Sequence, residues 1–224
     1  MFQELQIKTF SLGGLDTNYY LLYTHNEGVI IDPGDEATFI AEKIQEFKFS
    51  PCAIVATHGH FDHVLAAGEL QLIFNIPFYL HQNDLFLLKN MCTSATHWLG
   101  RPVKHPIPQK IITVQENDVI GCADYHLKII ETPGHTPGSI CLTINFNQRA
   151  SPNRSVDQFD PFKSIVFTGD TLFKGGIGRY DFSYSSKEEL DGSLRKLEFL
   201  PQETVIYPGH GEATTIGHES PAIL

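Results

Sequence analysis

The sequence predicts an α/β fold, and three observations favour it. Hydrophobic residues make up 42% of the 224 residues and charged residues 19%, which is typical of a globular chain that can bury a core. Short β-rich runs near the N-terminus give way to alternating strand-like and helix-like segments. The chain also divides into two similar halves, each with several strands followed by a helix. At about 100–200 residues per domain, this length allows one large domain or two small ones.

The first half begins with antiparallel strands and continues as alternating strands and helices. Apolar and polar residues alternate over residues 5–10, and two further β-rich runs follow across glycine-containing turns. Apolar side chains then recur at helical spacing over residues 36–47, and Pro51 ends that segment. The elements predicted in this half, in order, are strands 5–10, 19–23 and 29–31, helix 36–47, strand 52–56, helix 64–74 with Leu65, Leu72 and Ile73 in the core, strand 78–80 and helix 84–90.

Prolines interrupt the pattern in the middle of the chain. Pro102, Pro106 and Pro108 break the periodicity of residues 92–109, so we predict a surface loop or lid there. Residues 147–162 are polar and proline-bearing, which predicts a hairpin excursion or an insertion. The elements predicted in the second half are strands 111–114, 126–131, 139–145 and 165–168, helix 187–199 and strand 205–207.

Charge and cysteine content narrow the functional class. The formal net charge is −10, whereas proteins that bind nucleic acid carry clustered Lys and Arg, so no nucleic-acid partner is expected. The four cysteines are far apart and form no Cys-x-x-Cys pair, so we interpret them as reduced core residues. Residues 1–10 lack the features of a signal peptide, and no stretch reaches the roughly 18 apolar residues of a membrane span. We therefore expect a cytoplasmic protein with no membrane partner.

Four candidate metal ligands occupy six positions directly after the apolar strand 52–56. They are His58, His60, Asp62 and His63. In an extended chain the first two project to the same side, and a turn brings the other two back from the start of the next helix. Ligands in α/β proteins tend to bind beyond the carboxyl ends of strands. This segment is therefore predicted to supply ligands to two metal ions.

Three more candidate ligands follow predicted strands in the second half. His135 and His210 each come after a Pro-Gly turn, and Asp170 follows a glycine. Five histidines and two aspartates suit two divalent ions, with zinc as the first choice and iron or manganese also compatible. Two such ions carry a total charge of +4. The two aspartates remove two of these charges and a bridging hydroxide removes one more, so the centre remains cationic. An anionic or strongly polarised substrate is therefore favoured.

These residues, in this order, resemble the metallo-β-lactamase superfamily, and the likeness runs from Asp32-Pro33-Gly34 to the C-terminus. The resemblance implies a single-domain, four-layer αββα sandwich over residues 1–224, with a dinuclear site at one edge of its two sheets. It also implies that Asp32 orients the site from behind the ligands. The implied ligands are His58, His60 and His135 for the first metal, Asp62, His63 and His210 for the second, and Asp170 as the bridge.

Within the superfamily, residues 170–182 are similar to the corresponding loop of glyoxalase II, the hydroxyacylglutathione hydrolases, particularly their short bacterial relatives. Arg179 falls where those enzymes place a cation near the substrate carboxylate, and Lys174 is a second candidate for attracting an anion. The resemblance implies hydrolysis of a small thioester such as S-D-lactoylglutathione by a metal-bridging hydroxide, with Asp62 and Asp170 as the catalytic carboxylates. The thiol leaving group, with a pKa of about 8.5, needs no dedicated general acid.

Two other functions share the same residues. A persulfide dioxygenase would use a single iron held by two His and one Asp, with open positions for oxygen. A metal-binding module without enzymatic activity would use the fold as a scaffold. A β-lactamase fits less well, because those enzymes usually lack an aspartate corresponding to Asp170.

Overall fold

Two six-stranded sheets form the centre of the molecule. The computed structural model describes residues 5–122, 125–146 and 165–223; the predicted excursion at 147–162 lies outside them. The first sheet has the order β1-β2-β3-β4-β5-β6, and the second has the order β14-β13-β10-β9-β8-β7. The first sheet contains β1 (Gln6–Leu12), β2 (Thr17–Thr24), β3 (Glu27–Ile31), β4 (Ser50–Val55), β5 (Phe78–His81) and β6 (Ile111–Val114). The second contains β7 (Val119–Cys122), β8 (Tyr125–Glu131), β9 (Ile140–Phe146), β10 (Ile165–Gly169), β13 (Val205–Pro208) and β14 (Thr214–Thr215), and β11 (Leu172–Phe173) pairs with β12 (Gly176–Ile177) in a small hairpin.

Helices cover the outer face of each sheet. Five pack against the first sheet and two against the second, which leaves the inner faces of the sheets against each other. The helices are α1 (Ala37–Phe47), α2 (Phe61–Val64), α3 (Ala67–Phe74), α4 (Leu85–Lys89), α5 (Met91–Leu99), α6 (Lys187–Glu198) and α7 (Ile216–Ile223). Among the residues described, no helix has the length and apolar character needed to cross a bilayer.

Three separate apolar clusters establish four layers. Strand β2 shows how: Tyr19 and Leu21 join the cluster under the first set of helices, whereas Tyr20 and Leu22 join the cluster between the sheets. This alternation follows from the two-residue period of a strand, and β2 is almost entirely buried because both of its faces are covered. The third cluster lies between the second sheet and α6 and α7. The predicted αββα sandwich is therefore confirmed.

Several predicted elements differ from the structure. Residues 91–99 form α5 rather than the start of a loop, because Met91 and Ala95 are buried one helical turn apart and all the prolines come after Gly100. The predicted helix 64–74 is divided into α2 and α3. Leu72 and Ile73 are exposed, since the buried face of α3 is set by Ala67 and Leu70. The short strand β7 was not predicted.

Candidate metal centre

Strand direction gathers the seven candidate ligands at one edge of the sandwich. In the first sheet β3 and β4 are parallel, and in the second sheet β8, β10 and β13 all run in one direction. Their carboxyl ends therefore meet at the same edge. Backbone hydrogen bonds tie the two sheets together there: Ile140 N donates to Thr57 O at 2.8 Å, and Asn18 N donates to Gly209 O at 2.7 Å. The ligand-bearing segments follow β4, β8, β10 and β13.

His58, His60 and His135 form the first group. The Nε2 atoms of His58 and His135 each lie 3.0 Å from Nδ1 of His60. His58 and His135 are buried, and His60 is half-buried at the start of α2. The three rings therefore present three nitrogens to one point.

Asp62, His63 and His210 form the second group, with one ligand atom of each within 4.8 Å of the others. Asp62 Oδ2 lies 3.6 Å from His63 Nε2 and 3.3 Å from His210 Nε2. Asp170 lies between the two groups. Its Oδ1 is 3.3 Å from His63 Nε2, and its Oδ2 is 3.5 Å from His135 Nε2. One carboxylate thus faces both groups.

Each of the five histidines has its outward ring nitrogen next to an oxygen. Thr57 Oγ1 already donates to Asp32, so it accepts from His58 Nδ1. Where the facing oxygen accepts, as it does for His58, His135 and His210, the outward nitrogen carries the hydrogen, and the inward nitrogen of the neutral ring keeps its lone pair. The other four contacts are His60 Nε2 with Tyr184 Oη, His63 Nδ1 with Asp32 Oδ2, His135 Nδ1 with Arg179 O, and His210 Nδ1 with Leu15 O.

The inward atoms fit divalent cations. Unprotonated nitrogens 3.0 Å apart cannot hydrogen-bond to each other, and a cation between them satisfies all three lone pairs. In the second group, His63 Nε2 and Asp170 Oδ1 are buried without a hydrogen-bond partner among the residues described. Buried polar atoms of this kind cost free energy unless something binds them. The first group offers three nitrogens, and the second offers both nitrogen and oxygen atoms. Ligand sets of these kinds are typical of zinc or iron sites.

Electrostatics differ between the two groups. Burial, reinforced by His135, lowers the pKa of His60 to about 3, and burial beside His63 lowers the pKa of His58 well below its usual value. In the second group burial also acts to lower the pKa of His63, but the carboxylates of Asp62 and Asp170 outweigh it and raise that pKa. The pKa of His210 is raised in the same way. His58 and His60 are therefore ready to bind a cation at neutral pH, whereas His63 and His210 must release protons.

Asp32 supports the ligands from beneath. It is 1% exposed and has a positive φ of 51°, a conformation that costs free energy for a residue other than glycine. Its carboxylate accepts from Thr57 N at 2.6 Å and Thr57 Oγ1 at 2.7 Å, and it lies 3.1 Å from His63 Nδ1. The strained backbone thus places one carboxylate behind both ends of the ligand segment that follows β4.

Asp84 and Tyr184 are two supporting residues that the sequence analysis missed. Asp84 is fully buried and accepts from Gly59 N at 2.8 Å, Gly138 N at 2.7 Å and Thr136 Oγ1 at 2.7 Å. Tyr184 places its hydroxyl 2.8 Å from His60 Nε2. An aspartate at the start of a predicted helix resembles an ordinary cap, and a tyrosine 124 positions from its partner carries no sequence signal.

Both predicted substrate-binding cations are exposed and paired with carboxylates. Arg179 makes a bidentate pair with Asp181 at 2.8 and 2.9 Å, and its guanidinium lies over the rings of Phe182 and Trp98. Its carbonyl accepts from His135, so the residue borders the first group through its backbone. Lys174 pairs with Glu212, which follows His210 by two positions.

Aromatic side chains line one side of the centre. Phe182 stacks on Tyr184 with ring centroids 5.4 Å apart, and Phe86 meets Tyr184 edge to face. Trp98 is 54% exposed and Phe86 41% exposed, so both rings present apolar surface to solvent. An apolar surface with a few cations beside a polar centre is typical of a small-molecule site.

Comparisons with known proteins agree with this fold and site. A family model for the "Metallo-beta-lactamase superfamily" matches residues 12–149 and 157–210. The chain is 34% identical over 192 residues to the hydroxyacylglutathione hydrolase GloC of Haemophilus influenzae, covering 85% of this chain and 82% of that protein.

Two solved structures share the fold over nearly their whole length. The crystal structure of the BLEG-1 B3 metallo-beta-lactamase has a TM-score of 0.80 and 31% identity, with 96% of this chain and 97% of that chain covered. TTHA1623 in a di-iron-bound form has a TM-score of 0.79 and 34% identity, with 95% and 96% covered. The chain belongs to the metallo-beta-lactamase superfamily.

Proposed function

We propose that this protein is a metal-dependent hydrolase that cleaves a small thioester such as S-D-lactoylglutathione. The observation that carries the proposal is the pair of three-donor groups with the Asp170 carboxylate facing both of them. The similarity to GloC supports the thioester as the substrate class. The net charge of −10 supports a small molecule, rather than nucleic acid, as the partner.

The seven ligands would hold two divalent ions, with zinc as the first choice. His58, His60 and His135 would bind one, Asp62, His63 and His210 the other, and Asp170 both. Bound ions of this kind lower the pKa of water to about 7 and polarise a carbonyl oxygen. TTHA1623 was solved with two irons, so iron is a further candidate.

The two aspartates act as fixed negative charges. Burial acts to raise the pKa of Asp62 and of Asp170, but the neighbouring histidines, His63 first among them, outweigh it and hold both pKa values low. Both side chains are therefore ionised at neutral pH. They cannot serve as proton donors, and a thiol leaving group with a pKa of about 8.5 does not require one.

Metal analysis combined with two assays tests the proposal. Protein purified without added metal would be analysed for its elements, then assayed for S-D-lactoylglutathione hydrolysis and for oxygen uptake with a persulfide. We expect two metal ions per chain and thioester turnover. His58→Ala should abolish turnover and reduce metal content, whereas His97→Ala, a change at an exposed histidine of α5, should alter neither.

Other outcomes assign the protein differently. One iron per chain with oxygen consumption would indicate a persulfide dioxygenase. Full metal loading without turnover of thioester, lactam, phosphodiester or persulfide would indicate a binding module. Full thioester turnover by a His58→Ala protein of unchanged metal content would contradict the mechanism.

The Arg179–Asp181 pair gives a test of substrate charge. The pair is exposed on both sides, so a substrate carboxylate competes with Asp181 for the guanidinium. Arg179→Ala should raise KM for an anionic thioester about tenfold, and Asp181→Asn should lower it a few-fold, with kcat little changed in both. An uncharged thioester is the control, since its KM should not respond. Equal responses of both substrates would contradict a role for Arg179 in carboxylate binding.

A further inference from the structure

Cys52 and Cys122 come from different sheets and meet at the edge of the cluster between them. Cys52 lies on β4 and Cys122 ends β7, and they are 70 positions apart in the sequence. Their Sγ atoms are 2.8 Å apart, against about 2.05 Å for a covalent S–S bond. These two sulfurs are therefore neighbours in space although the residues are far apart in the sequence.

The pair is accessible from one side and remote from the metal centre. Cys52 is half-buried, and Cys122 is 5% exposed. Cys52 lies near the start of β4, and the ligands follow the end of that strand. Cys122 pairs with Tyr125 at the start of β8, while His135 follows the end of β8. At about 3.3 Å per residue, the six residues from Cys52 to His58 span roughly 20 Å.

The hydrogen bond between the two thiols affects the acidity of each in opposite directions. The Sγ–H of Cys52 donates to Cys122 Sγ, and this hydrogen bond raises the pKa of the Cys52 thiol and lowers the pKa of the Cys122 thiol. The thiolate is the nucleophile in disulfide exchange. The half-buried sulfur of Cys52 can therefore react with an oxidant, and the buried sulfur of Cys122 can then attack Cys52.

We propose that Cys52 and Cys122 form a reversible intramolecular disulfide by exchange with a low-molecular-weight disulfide. The proton of Cys52 passes along its hydrogen bond to the Cys122 thiolate, and Cys52 Sγ attacks one sulfur of the oxidant, which forms a mixed disulfide and releases the first small thiolate. Cys122 then loses its proton to solvent and attacks Cys52 Sγ, which forms the protein disulfide and releases the second small thiolate. The protein loses two electrons and two protons, and the oxidant is reduced to two thiols.

The other two cysteines provide an internal contrast. Cys92 Sγ accepts from His105 N at 3.3 Å, and Cys141 is fully buried beside Thr132. Neither has a sulfur neighbour, and all four cysteines lie in the described part of the chain. Exchange is therefore confined to one pair.

Oxidised glutathione added to the folded, metal-loaded protein tests the proposal. Thiols counted in denaturant should fall from four to two, the intact mass should drop by two hydrogens, and peptide mapping should join Cys52 to Cys122. A crosslink that closes a 70-residue loop should raise Tm by about 5–15 °C, and dithiothreitol should reverse the rise. Metal content should not change.

Single variants sharpen the result. Cys122→Ala should stop at the mixed disulfide on Cys52, which adds one glutathione and no crosslink. Cys92→Ala should still form the crosslink, with thiols falling from three to one. The proposal is overturned if wild-type protein keeps four thiols while its urea-unfolded form reacts, or if mapping finds a different pair. It is overturned as well if Cys122→Ala loses two thiols.

Discussion

At the scale of single residues, buried charges around the metal centre are matched by specific donors. Asp84 is the clearest case, because it joins the loop that carries His58 and His60 to the loop that carries His135. Burial raises the pKa of its carboxyl, while the hydrogen bonds from Thr136, Gly59 and Gly138 act to lower it. A group of this kind positions ligands without touching a metal.

Replacing Asp84 with asparagine should destabilise the protein and weaken metal binding. The amide offers one acceptor oxygen where three donors converge, and its NH₂ group would face another donor. We expect a loss of about 2–4 kcal/mol in the free energy of unfolding and about a tenfold loss in metal affinity. Urea denaturation and metal titration measure the two effects. Asp191→Asn on the surface of α6 is the control and should change stability by less than about 0.5 kcal/mol.

Acidification should remove the metal ions in a fixed order. The pKa of His60 is held at about 3, so this ring stays unprotonated when the pH falls from 8 to 5. The pKa values of His63 and His210 are raised, so protons compete with a cation there from neutral pH downward. Metal content after dialysis at a series of pH values should show loss of the second-group ion first. Simultaneous loss, or loss from the His58–His60–His135 group first, would contradict this assignment.

At the scale of elements, the turns after the strands matter as much as the ligands. Gly209 precedes His210, and an added Cβ would lie 2.3 Å from Asp170 Oδ1 and 2.7 Å from His63 Cε1. The backbone N–H of Gly209 donates to Gly169 O, and the carbonyl oxygen of Gly209 accepts from Asn18 N. The turn between β13 and His210 therefore tolerates only glycine, which explains why a side chain is absent beside the last ligand.

Gly209→Ala should displace the second group while leaving most of the fold intact. Asp170 must move by about 1 Å and His63 by a smaller distance, so we expect loss of one metal equivalent and a drop of at least about a hundredfold in activity. Gly192→Ala is the matched control, because nothing lies within 4 Å of a Cβ at that exposed position of α6. That control should be stabilised by about 1 kcal/mol. A fully active Gly209→Ala protein would show that the backbone yields more easily than the contacts indicate.

At the scale of the whole molecule, the metal centre connects the two halves of the chain. Each three-residue group takes two ligands from the segment after β4 and one from the second half, His135 or His210. The halves also share the cluster between the sheets, in which Tyr20 packs against Phe167. Occupation of the site should therefore stabilise the sandwich as a unit.

Chelation should lower the thermal stability of the protein. An ion present at about a thousand times its Kd adds about 4 kcal/mol to the free energy of unfolding, which corresponds to a change in Tm of about 10 °C for a chain of this size. Calorimetry of metal-loaded and chelator-treated protein measures the difference, and added zinc should restore it. Asp170→Asn should show a much smaller response to chelator. An unchanged Tm in the wild type would mean that the ions contribute little to folding.

The order of elements and the positions of the ligands were predictable because both depend on local patterns. Alternating periodicity located the strands, and the His58–His63 segment stands out by composition alone. Contacts between distant segments were not predictable: Tyr184 reaches His60 across 124 positions, and Cys52 reaches Cys122 across 70. Leu72 was assigned to the core by residue type, but the phase of α3 turns it toward solvent.

The division of each ligand group between the two halves also has a kinetic consequence. A chain in which one half has folded can offer two side chains of a group but not the third, so strong coordination begins only when the second sheet docks. Metal capture during refolding is then a late event, and its rate reports the pairing of distant segments rather than local helix formation. A cell that supplies the ion slowly would hold newly made chains in an unmetallated, more easily proteolysed form.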